Sequence, residues 1–262
     1  MSDRPAAIVL AGSRGMGFGS AAALARRGYD LLITGRTESD LITAAEALRS
    51  EGADHGIDVH HLVADVRSAS DLEAVFAAAD GHFGRLDSLV CNGGSPVRGP
   101  FLEINDEQWA EGNDLNVMSV VRSVRLAIPR FEAAGAGRVV VIGSSSVLRP
   151  IPGLTVSNVT RPALTGLVRA LALELAPLGI AVNMVSPGRV DTGHARKSDE
   201  RRAAARDVPY EVIRAEYEAT IPMGRYGTPE EFGEIVGFFG SHASSYVTGQ
   251  SIVVDGALTL AG

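Results

Sequence analysis

Short apolar runs alternate with longer amphipathic stretches along the whole chain. The runs fall at 6–11, 30–35, 59–64, 86–91, 138–143, 180–185 and 251–254. Runs this short and this apolar suit strands covered on both faces, and the stretches between them carry helical periodicity. The alternation predicts a seven-stranded parallel sheet with helices on both faces, an α/β doubly wound fold. Gly28, Gly52, Gly84, Gly135 and Gly179 follow the helical stretches where a left-handed residue closes a last turn. The pattern breaks over 193–225, where a charged, arginine-rich stretch precedes a second short helix; this segment is expected to form a helical flap. Loops and insertions at such places carry specificity while the scaffold does not.

Composition narrows the picture. With 262 residues and 45% hydrophobic content, the chain suffices for one domain spanning 1–262, and no linker-like stretch divides it. A net charge of −7 speaks against a nucleic-acid partner. No apolar run approaches the roughly 18 residues of a membrane span, and the first residues lack an apolar signal core, so a cytoplasmic location and no membrane partner are expected. Cys91 is the only cysteine, which excludes an intramolecular disulfide and a cysteine metal cluster. His60 and His61 are neighbours on a predicted strand, point to opposite faces and cannot share a metal; no metal site is expected.

The first run leads into Gly12-Ser13-Arg14-Gly15-Met16-Gly17 and then a helical stretch, the strand, glycine loop and helix order of a pyrophosphate site. The second run ends in Thr34-Gly35-Arg36-Thr37, without an acidic residue to accept from a ribose 2′-hydroxyl. Arg14 and Arg36 can flank a 2′-phosphate instead, which points to NADP(H) as cofactor. Glu38 lies in the next helix's opening turn, where it suits the helix dipole.

From Ala6 to Gly256 these features resemble the short-chain dehydrogenase/reductase family. The glycine loop departs from the family's Thr-Gly-x-x-x-Gly-x-Gly at Leu10 and Ala11, while Gly15 and Gly17 are kept. Asp65-Val66 resembles the family's adenine contact, and Asn92-Gly93-Gly94 its Asn-Ala-Gly loop. Pro187-Gly188 with Val190 and Thr192 resembles the segment that grips the nicotinamide carboxamide.

The resemblance further implies a catalytic tetrad of Asn, Ser, Tyr and Lys. Asn116 and Ser144 match it, but Ser157 and Arg161 stand where tyrosine and lysine belong. No tyrosine occurs between Tyr29 and Tyr210, so no register slip restores a phenol. Lys197 is the only lysine, which weakens the meaning of arginine at 161. An aliphatic hydroxyl is a far weaker acid than a phenol, so Ser157 does not simply replace it; a water held by Ser144, Ser157 and Asn116 is the expected proton carrier. Arg161 stays protonated and acts by charge. Pro162 suggests that a helix begins nearby, with Ser157 or Asn158 as its N-cap. Ser-Asn-x-x-Arg at this point is similar to a divergent subset of the family described as 3-oxoacyl-carrier-protein reductase-like.

The expected function is reduction of a ketone, a 3-oxoacyl or polyketide-like carbonyl, with NADPH. Tyr210, Tyr217 or His194 of the flap are reserve proton donors. Two alternatives stay open: a non-redox dehydratase, cyclase or isomerase on the same scaffold, and a catalytically silent NADPH-binding protein. The final stretch, from Pro222 to Gly256, resembles the family's closing helix and strand, which implies a homodimer or homotetramer.

Overall fold

All seven apolar runs become strands. The computed structural model describes residues 3–261. The strands are β1 (Ala6–Val9), β2 (Asp30–Gly35), β3 (Val59–Val63), β4 (Ser88–Cys91), β5 (Gly137–Ile142), β6 (Ile180–Pro187) and β7 (Ser251–Val254). They pair in parallel in the order β3-β2-β1-β4-β5-β6-β7. The order reverses between β1 and β4, and the crevice beyond the carboxyl ends of these two strands is where such sheets bind ligands.

Between the strands run helices α1 (Gly15–Ala25), α2 (Glu38–Glu51), α3 (Ala69–Phe83), α4 (Asp106–Asn113), α5 (Ser119–Ala134), α6 (Thr155–Leu175), α7 (Gly193–Arg206), α8 (Tyr210–Ala219) and α9 (Pro229–Phe239). Successive strand residues point to opposite faces, and both faces are buried. Ile8, Leu32, Leu89 and Val139 pack with Phe76, Val124, Phe131 and Leu164 of α3, α5 and α6. Val9, Ile33, Val140 and Val185 pack with Leu24, Leu41, Phe232 and Val236 of α1, α2 and α9. Helices α1 and α9 touch backbone to backbone: a Cβ on Gly19 would sit 2.1 Å from the Pro229 carbonyl oxygen.

Two expectations fail here. Gly52 is not left-handed (φ −100°); the chain continues through a short 3-10 turn and reverses at Gly56 (φ 60°). Gly28, Gly84, Gly135 and Gly179 do take positive φ. The second failure concerns α6, which starts at Thr155 and carries Pro162 well inside, so neither Ser157 nor Asn158 caps it. The buried stripe of Val156, Thr160, Leu164 and Val168 holds the two turns ahead of the proline against the core. Tertiary packing outweighs the local break that proline normally imposes.

Helices α7 and α8 occupy part of 193–225. Among the described residues, no helix is long and apolar enough to cross a membrane, and no group of His, Cys, Asp and Glu could hold a metal ion. His60 instead stacks on His82 with ring centroids 3.7 Å apart.

Candidate active site

The loop from β1 to α1 is built around two residues that break ordinary backbone rules. Gly15 sits at φ +52°, and a Cβ there would meet the Thr192 methyl at 3.1 Å. A Cβ on Gly17 would lie 2.2 Å from the Ala11 carbonyl oxygen and 2.7 Å from Asn92 Nδ2. Gly17 therefore permits the close approach of the loop to the β4 strand end, where Asn92 donates to the Ala11 carbonyl at 3.1 Å. Ala11 itself adopts φ +48°, a left-handed conformation that costs an alanine about 1–2 kcal/mol.

Thr34, a residue the sequence pattern did not single out, compensates. Its buried hydroxyl accepts from the Ala11 N–H at 3.0 Å, and its carbonyl accepts from the Gly12 N–H at 2.8 Å. The family threonine expected at position 10 is the buried, apolar Leu10 here, and Thr34 ties the loop from the neighbouring strand instead. Gly12 packs on Ile33, Ser13 crosses over Gly35, and Met16 rests against the α1 side of the core.

Arg36 follows the tip of β2 and Arg14 immediately precedes α1, and both are exposed. Arg14 is ion-paired with Asp40 in the first turn of α2. The expected flanking of a 2′-phosphate is therefore available but not preformed, since Arg14 must share or leave Asp40. Asp65 is held by Arg67, whose Nη2 reaches it at 2.6 Å. That bond, with the positive charge of Arg36 nearby, lowers the Asp65 pKa despite partial burial. Val66 is buried beside it.

Past β4, Gly93 and Gly94 pass over Leu115. On the far side, Pro187 ends β6 and pairs with Val254 of β7. The Gly188 N–H donates to the Val254 carbonyl at 2.9 Å. Val190 bridges to Gly227. The Thr192 hydroxyl caps α7 by accepting from the Ala195 N–H at 3.1 Å, while its methyl faces Gly15 of the glycine loop.

The catalytic candidates converge around α6. Arg161 is 9% exposed, and its guanidinium donates to the Ile142 carbonyl at 2.7 Å and the Gly94 carbonyl at 3.0 Å. These bonds draw together the end of β5, two residues before Ser144, and the Asn92-Gly93-Gly94 loop. No carboxylate neutralises the group among the described residues. Burial pushes its pKa down to about 10, which still leaves it charged at neutral pH.

Asn116 lies in a π turn (Asp114–Met118) between α4 and α5, a distortion that often marks functional positions. It is buried; its Nδ2 donates to the Thr160 hydroxyl at 2.8 Å, and Thr160 in turn donates to the Val156 carbonyl. The Asn116 Oδ1 has no hydrogen-bond partner among the described residues. Thr160 was not legible as a site residue, yet it fixes Asn116 against α6.

Ser144 lies two residues past β5, half-buried, and accepts from the Ser146 N–H at 3.2 Å. Ser157 is 7% exposed and lies in the first turn of α6; none of the described residues hydrogen-bonds its hydroxyl. Asn158 is structural: its side-chain amide bonds both the N–H and the carbonyl of Ile151, at 3.0 and 2.9 Å. The site therefore offers two serine hydroxyls, a buried amide and an unneutralised guanidinium, and no phenol.

The flap tyrosines are engaged elsewhere. The Tyr217 hydroxyl accepts from Arg202 at 2.7 Å while its ring lies under Arg189, and Tyr210 sits by Arg196 and Arg214. His194 does reach the loop after Gly94: its Nε2 accepts from Ser95 Oγ at 3.3 Å and from Arg98 at 3.2 Å.

Comparison with known proteins bears on the family and the fold. A family model described as enoyl-(acyl carrier protein) reductase matches residues 10–259. A Streptomyces virginiae protein of the monensin polyketide synthase, named as a ketoacyl reductase, is 34% identical over 254 residues that cover 96% of each chain. A variant of the actinorhodin polyketide ketoreductase, solved with NADPH, superposes with a TM-score of 0.91 at 30% identity over 98% of each chain. A short-chain oxidoreductase of Pseudomonas aeruginosa PAO1, described as containing an atypical catalytic center, superposes with a TM-score of 0.87 at 31% identity over 97% of each chain. With that fold, that glycine loop and these relatives, the chain belongs to the short-chain dehydrogenase/reductase family.

Proposed function

We propose that the protein is an NADP(H)-dependent oxidoreductase that reduces a ketone to an alcohol without a catalytic tyrosine. The observation that carries this reading is Arg161, a buried cation with no carboxylate partner, anchored to both the Ile142 and the Gly94 carbonyls. A charge held there at a desolvation cost serves to stabilise negative charge that develops on a substrate oxygen.

The residues fit the dinucleotide. The gap between Gly15 and Thr192 is one that a side chain would fill, and Arg36 stands exposed past β2 with Arg14, paired to Asp40, close by. Gly12, Ser13, Arg14, Gly15, Met16 and Gly17 would hold the pyrophosphate, Arg36 the 2′-phosphate, and Asp65, Val66, Asn92, Gly93 and Gly94 the adenosine side. Pro187, Gly188, Val190 and Thr192 would hold the carboxamide. When bound, NADPH supplies the hydride to the carbonyl carbon.

Ser144 and Ser157 donate hydrogen bonds to the carbonyl oxygen, and a water held by these hydroxyls and Asn116 Oδ1 delivers the proton that completes the alcohol. Arg161 stabilises the developing alkoxide by charge and holds its own proton throughout. The flap of α7 and α8 closes over the substrate. A family-like homodimer or homotetramer is the expected assembly; a sedimentation mass near the 27.4 kDa of one chain would contradict it.

The same unneutralised guanidinium also suits an enolate, which keeps a non-redox isomerase or dehydratase as the second reading. Paired calorimetric titration with NADPH and NADH tests the first. NADPH is expected to bind tens of times more tightly; equal affinity, or no binding of either, would overturn the NADP(H) assignment.

A further inference from the structure

Cations on the flap divide into two groups. Most are neutralised: Arg189 pairs with the buried Asp199 at 2.8 Å, Arg196 with Glu200 at 2.9 Å, Arg206 with Glu216, and Arg214 with Asp191 at 3.0 Å and Glu218 at 2.6 Å. Tyr226 donates to the second oxygen of Asp199, which completes that carboxylate. Arg98, Lys197, Arg201 and Arg202 have no carboxylate partner among the described residues; Arg202 donates to the Tyr217 hydroxyl at 2.7 Å instead, which leaves Arg98, Lys197 and Arg201.

Their placement is specific. His194, Lys197, Arg201 and Ala204 recur at helical spacing on one exposed face of α7 and, with Glu200, line a shallow depression that is open to solvent. Glu200 is the acid in this lining, and Arg196 already engages it. Arg98 approaches from the segment that follows Gly94, bonding Ser198 Oγ at 2.9 Å and His194 Nε2 at 3.2 Å. Gly94 is the residue whose carbonyl anchors Arg161, and Arg98 follows it four residues later in the chain.

Arg98, His194 and Arg201 lie near enough to perturb one another. Partial burial, then the positive charges of Arg201 and Arg189, lower the Arg98 pKa. Partial burial, then Arg98 and Arg201, lower that of His194. Like charges gathered this way are unfavourable unless an anion joins them.

We propose that this cationic face is a subsite for an oxyanion carried by the substrate, a carboxylate or a phosphate monoester, bound by Arg98, Lys197 and Arg201 while the ketone lies at Ser144. The inference deepens the carbonyl-reductase reading and rests on it for the position of the ketone. A neutral ketone leaves the three cations unsatisfied, while a keto acid or keto phosphate neutralises them as its carbonyl reaches the hydroxyls.

Matched pairs test it: levulinate against methyl levulinate, and dihydroxyacetone phosphate against dihydroxyacetone. Each is titrated calorimetrically into the full chain saturated with NADP+, which holds no hydride to transfer. At least one charged member should bind about ten-fold or more tightly than its neutral partner, and the pair that shows the contrast tells carboxylate from phosphate. The contrast should shrink at high salt. It should vanish in a double Arg98→Gln, Arg201→Gln variant and return largely in the double lysine variant, with unchanged melting temperatures showing that all three proteins fold.

Equal affinity within both pairs, binding of none of the four, or a preference that survives in the double glutamine variant would overturn the subsite. If the contrast appears but no ketone consumes NADPH, the reductase reading fails and the subsite stands. If cofactor does not bind at all, the same titrations on the cofactor-free protein decide the subsite by themselves.

Discussion

The two sides of the crevice follow different rules. On the β1–β2 side, backbone does the work: Gly15 and Gly17 shape a loop in which a side chain would collide with Ala11, Asn92 or Thr192. Both family departures there are absorbed, Leu10 into the core and Ala11 into a strained turn held by Thr34. On the β5–α6 side, side chains do the work, and the departures change the chemistry. Ser157 removes the phenol, and Arg161 replaces a group that can exchange protons with one that cannot. A backbone-built cradle tolerates substitution where its dihedrals survive, whereas a proton-transfer centre is altered by a single atom's acidity.

Breaking the catalytic side should give the largest effect. Ser144→Ala should lower turnover of a ketone by about 10²–10⁴-fold, the usual cost of losing a positioned proton-transfer group, while NADPH affinity stays unchanged by titration. Unchanged turnover would remove Ser144 from the mechanism. The cofactor side should respond in affinity instead. Because Arg14 is exposed and already shares Asp40, replacing both Arg14 and Arg36 by glutamine should weaken NADPH by about 10–100-fold and leave NADH nearly unaffected. Equal losses for the two cofactors would mean that these side chains do not read the 2′-phosphate.

Ala11→Gly sharpens the comparison by relieving the strained turn. Removing about 1–2 kcal/mol of left-handed penalty, against up to about 1 kcal/mol of added unfolded-state freedom, should raise the melting temperature by roughly 1–3 °C. A fall would show that the loop does not hold the φ described.

The smallest effect lies away from the crevice. The Arg225 guanidinium and the Thr228 N–H hold the Glu231 carboxyl down to about 2. A depressed carboxylate stabilises the fold above its unfolded pKa, near 4.5, and loses that contribution as pH falls toward 2. Glu231→Gln should therefore flatten a small part of the stability loss over that window; because the pair is solvent-exposed, the change should be slight. An identical pH profile in the two proteins would show that the pair contributes nothing.

Much of this was readable in the sequence because it depends on local pattern. Seven apolar runs and four of the five turn glycines keep their places, since strand burial and left-handed closure are local demands. Gly52 misled because the turn closes further on, at Gly56, after a 3-10 turn with no strong signature. Pro162 misled because its local break is outweighed by the buried stripe of α6, a tertiary fact. Thr34 and Thr160 were invisible for a related reason: each acts across the sheet or between helices, on Ala11 and on Asn116, through contacts that no spacing rule connects. The π turn at Asn116 likewise has no sequence mark.

The most direct test of hydride chemistry without a phenol is a single-turnover reaction with NADPH carrying deuterium at its transferable C4 position, run against a panel of keto acids, keto esters and polyketide-like ketones. The account predicts an alcohol with one deuterium on the carbinol carbon, formed as NADPH is consumed, and the same transfer slowed but not rerouted in Ser144→Ala. Product formed without label and without NADPH consumption would contradict it and place the protein among the non-redox members of the fold.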